Sequence, residues 1–91
     1  MRKPELATAI AVEADLSKEK AAEVVNVIID RITQALSEGE SVSLIGFGTF
    51  EVRNRAERQG KNPQTGEPLT IPAAKVPAFK PGKGLKDAVQ S

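Results

Sequence analysis

Residues 53–80 constrain the fold more than any other stretch of this 91-residue chain. Their centre, Gly60-Lys61-Asn62-Pro63-Gln64-Thr65-Gly66, is turn chemistry: two glycines and an Asn-Pro step in polar surroundings. On either side the residues alternate as strands do, with Arg53 and Arg55 on the way out and Leu69, Ile71, Ala73 and Lys75 on the return. The pattern predicts a long two-stranded ribbon with a proline near its tip. Its few apolar residues cannot bury it, and an isolated hairpin is marginal in water. Such a ribbon either hangs loose or grips something.

Charge says what it would grip. The net charge is only +1, but the halves differ. Residues 1–52 carry five Lys/Arg against nine Asp/Glu, whereas residues 53–86 carry eight Lys/Arg against Glu57 and Glu67 alone. An asymmetry of this kind is the mark of a protein that binds a polyanion. Cysteine and histidine are both absent. That excludes a disulfide framework, a thiolate metal site, a Ser-His pair and the commonest general base. No catalytic residues, metal site or cofactor are therefore expected. The N-terminus carries no apolar run of signal-peptide or membrane-span length, so the expectation is a soluble cytoplasmic protein.

The helical half precedes the ribbon. Pro4 and Glu5 suit a helix start, and Leu6, Ala9, Ile10 and Ala14 recur at helical spacing, giving a first helix over residues 3–14. Leu16-Ser17 offers a hydrophobic staple and an N-cap for a second helix over 18–38, which Gly39 ends. The apolar set of that helix, which includes Val24, Val25, Ile28, Ile29, Ile32 and Leu36, is wider than one core stripe. One helix and a three-stranded sheet offer too little surface to cover it, so a second copy of the chain is the expected cover, in preference to burial within one protomer. Residues 41–45 read as a strand with Val42 and Leu44 on one face, and a strand resumes at 49–58 after Gly46-Phe47-Gly48. Pro72 and Pro77 belong on an edge or a bend, and Pro77 is expected to kink the ribbon where it leaves the body. A last helix over 83–90, weakened by Gly84, turns Leu85 and Val89 inward. The fold class is α+β in the order ααβββα, one domain over 1–91 with an arm at about 53–76. Ile28, Ile32, Leu44, Phe47, Phe50 and Phe79 are the candidate dimer core. Base stacking by the three phenylalanines is the alternative to packing, and their aliphatic neighbours favour packing.

Arg53, Arg55, Arg58 and Lys61 follow one limb of the ribbon and Lys75 and Lys80 the other. A two-stranded ribbon fits a DNA groove, and arginines read the width and potential of the minor groove. On spacing alone Pro63 is either an ordinary turn proline or an apolar wedge that unstacks a base step.

The runs Gly46-Phe47-Gly48-Thr49-Phe50, Arg55-Ala56-Glu57-Arg58, Gly60-Lys61-Asn62-Pro63-Gln64-Thr65-Gly66, Ile71-Pro72-Ala73, Pro77-Ala78-Phe79 and Pro81-Gly82-Lys83-Gly84-Leu85-Lys86 resemble the bacterial HU/IHF family of histone-like DNA-bending proteins. The resemblance spans essentially the whole chain and is most specific over residues 46–86. It implies an intertwined dimer whose arms wrap duplex DNA through the minor groove, and a role in nucleoid organisation. Pro63 matches the intercalating proline. Arg55, Arg58, Lys61 and Asn62, with neighbouring Arg53, Gln64 and Lys75, match or flank arm contacts, and Lys3, Lys80, Lys83 and Lys86 match or neighbour body contacts to flanking phosphates. Two departures stand out: Arg2-Lys3-Pro4 replaces a polar cap before the first helix, and Gly84 replaces a helix former. The tip leans towards HU, which binds with little sequence preference, and away from sequence-specific IHF. Nicked, gapped or bent duplex is the expected preferred form, and homodimer and heterodimer with a paralogue both remain open. RNA suits ribbon insertion less well. The rival outside nucleic acids is a module whose arm grips an acidic protein.

Overall fold

A computed structural model describes residues 1–90. The order is α1 (Lys3–Glu13), α2 (Lys18–Ser37), β1 (Val42–Leu44), β2 (Gly48–Arg55), β3 (Arg58–Lys61), β4 (Pro68–Ile71), β5 (Ala74–Pro81) and α3 (Lys83–Gln90). The α+β class and the three helices agree with the sequence reading; the ribbon differs, as described below.

Local chemistry sets the helix ends. Arg2 is the N-cap of α1, so Pro4 occupies the second helical position, where its missing N–H costs nothing. The Arg2 N–H donates to Glu5 Oε1 at 3.3 Å; the guanidinium has no lone pair to return the bond. At α2 the Lys20 N–H donates to Ser17 Oγ at 3.1 Å, the expected N-cap. Gly39, at φ 82°, closes α2: its N–H donates to Leu36 O at 3.0 Å, and the Glu40 N–H donates to Ala35 O at 2.9 Å. This paired closure needs a left-handed residue, which glycine adopts without strain.

Strands β1, β2 and β5 form one antiparallel sheet in that spatial order, and β3 and β4 form a second. Register in the first sheet sets Val42 opposite Phe50, Phe50 opposite Phe79, Val52 opposite Pro77 and Thr49 opposite Lys80. Opposed residues share a face. One face therefore carries Val42, Leu44, Phe50, Val52, Pro77 and Phe79; the other carries Ser43, Thr49, Glu51, Arg53, Arg55 and Lys80. The apolar face meets α2, where Leu36 and Thr33 share a groove with Val52 and Pro77. On it, the Phe79 ring centroid lies 4.8 Å from that of Phe50 and 5.4 Å from that of Phe47, both tilted.

The protomer buries little. Among the described residues the buried apolar set is Ala7, Ala21 and Val25, where α1 crosses α2, with Ile10 and Ala11 packed against it. Of the candidate dimer core, Ile32 and Phe50 are half-buried, while Ile28 is 50% exposed, Phe47 46%, Leu44 44% and Phe79 37%. Val89, expected to face inward, is 77% exposed; only Leu85 of the α3 pair is half-buried. The apolar period of a helix marks a face that wants cover, and one protomer does not supply it for Val89. The radius of gyration is 18.7 Å, against about 12 Å for a compact domain of this length. The ribbon accounts for the excess: the principal extents are 58 × 31 × 28 Å.

The Gly46-Phe47-Gly48 turn is the joint between sheet and α3. The Gly82 N–H donates to Phe47 O at 2.8 Å, and the Leu85 N–H, otherwise an orphan of the first helical turn, donates to Gly46 O at 3.2 Å. Gly84 lies so close that a Cβ there would fall 2.7 Å from Gly46 O. Gly84, a weak helix former by residue type, permits this contact through its bare backbone. Gly48 is tighter still: a Cβ would fall 2.5 Å from the Phe79 ring and 2.7 Å from Lys80 O. Gly48→Ala should therefore destabilise the protein by about 1–3 kcal/mol, as overpacking does, seen as a lower denaturant midpoint at unchanged slope.

Candidate nucleic-acid interface

The ribbon is not continuous. β2 and β5 pair as far as Arg55 opposite Ala74, and β3 and β4 resume at Arg58 opposite Ile71. Ala56-Glu57 and Pro72-Ala73 leave the ladder between them, two residues on each limb, so the register is unchanged across the gap. The break coincides with Pro72, which has no N–H to donate. Pro77, expected to kink the ribbon, instead stays paired opposite Val52 in β5. β5 is an edge strand of its sheet, where a missing donor is tolerated.

Register also sorts the cations. Arg53 and Arg55 stand on the polar face of β2, and Lys80, opposite Thr49, shares it. Lys75 lies opposite Asn54 and so belongs to the other face; it lines the groove with Leu36, Val52 and Pro77. Beyond the gap, Arg58 lies opposite Ile71 and Lys61 opposite Pro68. These two positions differ in parity, so Arg58 and Lys61 project from opposite faces of the outer ribbon. The structure thus sets Arg53, Arg55 and Lys80 on one face, with Lys80 at the body end of the ladder opposite Thr49, and puts Lys75 on the other face. All of these cations are exposed.

At the tip, Pro63 and Gln64 are exposed and Asn62 is half-buried. The Asn62 N–H donates to Glu67 O at 2.9 Å, and the Gly66 N–H donates to Asn62 O at 2.7 Å. Gly66 has φ 73°, a left-handed turn position. On the body, Lys83 opens α3 and Lys86 lies one turn further along it; the Gly46 and Phe47 carbonyls anchor that helix to the sheet. Lys3 is the first residue of α1, at the mouth of an open apolar groove of about 340 Å³ between α1 and α2.

Two acidic partners went unread in the sequence. Arg53 Nε lies 3.2 Å from Glu51 Oε2, and Lys83 Nζ lies 3.5 Å from Asp87 Oδ2. Spacing carried both signals: residues two apart share a strand face, and residues four apart share a helix face. Exposed pairs of this kind contribute roughly 0–1 kcal/mol, so each cation leaves its partner at little cost. Among the described residues no group of His, Cys, Asp and Glu has a metal-binding arrangement, and no helix is long and apolar enough to cross a membrane.

A small α+β body that holds out a cationic two-stranded ribbon with an exposed proline at its apex defines a class of nucleic-acid-binding protein. Residues 1–90 match the family model described as bacterial DNA-binding protein. The chain is 60% identical over 90 residues to DNA-binding protein HU of Geobacillus stearothermophilus, covering 99% of this chain and 100% of that one. It is 61% identical over 89 residues to DNA-binding protein HU-alpha of Pseudomonas aeruginosa, covering 98% and 99%. The fold superposes on a chain of an Anabaena HU–DNA cocrystal structure with a TM-score of 0.90 at 44% identity, over 98% and 97% of the two chains. HU from Thermotoga maritima gives 0.70 at 35% identity, over 98% of both chains. The chain belongs to the bacterial HU/IHF family of histone-like DNA-binding proteins.

The gap in the ladder is open to direct measurement. Amide hydrogen exchange should be fast at Ala56, Glu57 and Ala73, at the rate of loop amides, and slower at the ladder amides of β2 and β5.

Proposed function

We propose that this protein is an architectural DNA-binding protein of the HU type, acting on duplex DNA in the bacterial nucleoid with little sequence preference. One observation carries the reading: Arg53, Arg55 and Lys80 line one exposed face of a ribbon whose tip presents Pro63. Arg53, Arg55, Arg58, Lys61 and Gln64 contact the minor groove and its walls, Asn62 lies at the tip beside Pro63, and Lys75 supports the arm from its other face. Lys3, Lys80, Lys83 and Lys86 take the flanking phosphates. Arg53 and Lys83 exchange Glu51 and Asp87 for phosphate. Pro63, rigid and without an N–H, enters a base step with no unpaired donor buried. Unstacking costs a few kcal/mol per step, and the bend offsets it by bringing more phosphate within reach of the body. A nick or gap removes part of that cost beforehand, so distorted duplex binds more tightly.

The unit that binds is a homodimer. Ile28, Ile29, Leu44, Phe47 and Phe79 are too exposed in one protomer for so small a core to stand alone, and a second copy burying the same faces supplies the cover. Folding is then coupled to assembly, and the unfolding midpoint should rise with protein concentration. Ile32→Asp, which sets a charge on the half-buried face of α2, should abolish the folded dimer, as sedimentation and circular dichroism together will show. A monomeric mass with a concentration-independent midpoint would contradict the dimer.

Gel-shift titration on intact, nicked and gapped duplex across a salt series tests DNA binding itself. Affinity should fall with salt at a slope of about −0.9 per phosphate contact. Arg58→Ala should weaken binding to all sequences alike and flatten the slope by about one unit. Loss on one sequence only would mean base readout of the IHF kind, and no gain on nicked duplex would favour an acidic protein as partner.

A further inference from the structure

Asn62 is the half-buried residue of a tip whose residues 63–67 are all exposed. Its backbone closes the turn through the bonds to Gly66 and Glu67, and its side chain adds a third: Asn62 Oδ1 accepts from the Gln64 N–H at 2.9 Å. The atom facing that N–H has to be the oxygen, because an amide NH2 has no lone pair to accept with. A residue before proline is held extended, and Pro63 has fixed φ and no N–H of its own. The first amide beyond Asn62 that can donate is therefore that of Gln64, and the side-chain carbonyl spans Pro63 to reach it, an Asx turn. On the far side the Glu67 N–H donates to Thr65 Oγ1 at 3.3 Å.

We propose that Asn62 is a positioning residue for DNA bending: its side-chain carbonyl, bonded across Pro63 to the Gln64 amide, holds the proline ring at the apex in the orientation that enters the base step. The proposal rests on the reading of Pro63 as a wedge. A ring held in place before contact inserts without ordering the tip at that moment, whereas a loose tip must be fixed as it binds. Fixing the backbone of one residue corresponds to roughly tenfold in an equilibrium constant.

The test uses the full chain with three variants, Asn62→Ala, Asn62→Ser and Pro63→Ala. One readout is Gln64 amide exchange in the free protein, and the other is end-to-end energy transfer on a doubly labelled duplex. Asn62→Ala should speed Gln64 exchange and weaken formation of the bent complex by about tenfold, at unchanged salt slope because no charge is lost. Asn62→Ser keeps an acceptor oxygen and should recover most of both effects. Unchanged Gln64 exchange in Asn62→Ala, or wild-type bending by it, overturns the proposal. So does Asn62→Ser bending as poorly as Asn62→Ala, which would mean that the amide NH2 acts on DNA directly. If Pro63→Ala bends DNA like wild type, the wedge reading itself fails; if Pro63→Ala loses bending and Asn62→Ala keeps it, only the positioning role fails.

Discussion

The pairing of β2 with β5 over eight residues is the interaction on which the rest depends. It sets Phe50 beside Phe79 on the face that meets α2, and Arg53 and Arg55 on the face that does not. Because side chains alternate with a period of two, a slip of one residue would turn the phenylalanines to solvent and the arginines onto the helix. Gly48 pins that register at one end, where the Phe79 ring leaves no room for a side chain. The carbonyls of Gly46 and Phe47 then fix the start of α3 and with it Lys83 and Lys86. One ladder thus positions the ring cluster, the arm cations and the body cations together.

The second constraint is shortage. A body whose buried apolar set, among the described residues, is Ala7, Ala21 and Val25 has little with which to hold a 58 Å molecule together. In the proposed homodimer, the wide apolar surface of α2 and the half-exposed aromatics are the surface through which a second copy completes the core. Function follows from the same division. The large apolar residues Phe50, Val52 and Phe79 lie on one face of the sheet, and the opposite face carries Arg53, Arg55 and Lys80 beside Val76 and Ala78.

Much of this was legible in the sequence. The Ser17 cap, the Gly39 stop and the turn at residues 60–66 are local chemistry, and local chemistry reads directly. The partition of charge needed only counting. The parts that depend on pairing were not legible. Of the two prolines on the return limb, Pro77 was the expected bend; which one interrupts the ladder is decided by cross-strand register, and that fell on Pro72. Lys75 looked like a companion of Arg53 until the opposition of Asn54 to Lys75 put it on the other face. Gly84 read as a weak helix former because the carbonyl of Gly46, thirty-eight residues earlier in the chain, is invisible to any local window. Val89 followed the helical period, but periodicity identifies a face without saying whether the same protomer covers it.

In the proposed mode of binding, the arm enters DNA tip first, with the Pro63 ring between base pairs. Intermolecular nuclear Overhauser contacts in the protein–DNA complex test it most directly. The account predicts contacts from the Pro63 ring protons to base and sugar protons of adjacent base pairs, together with loss of the sequential contact between those two bases. Contacts only from the apolar face of the sheet or from α2, with Pro63 silent and the bases still stacked, would contradict it.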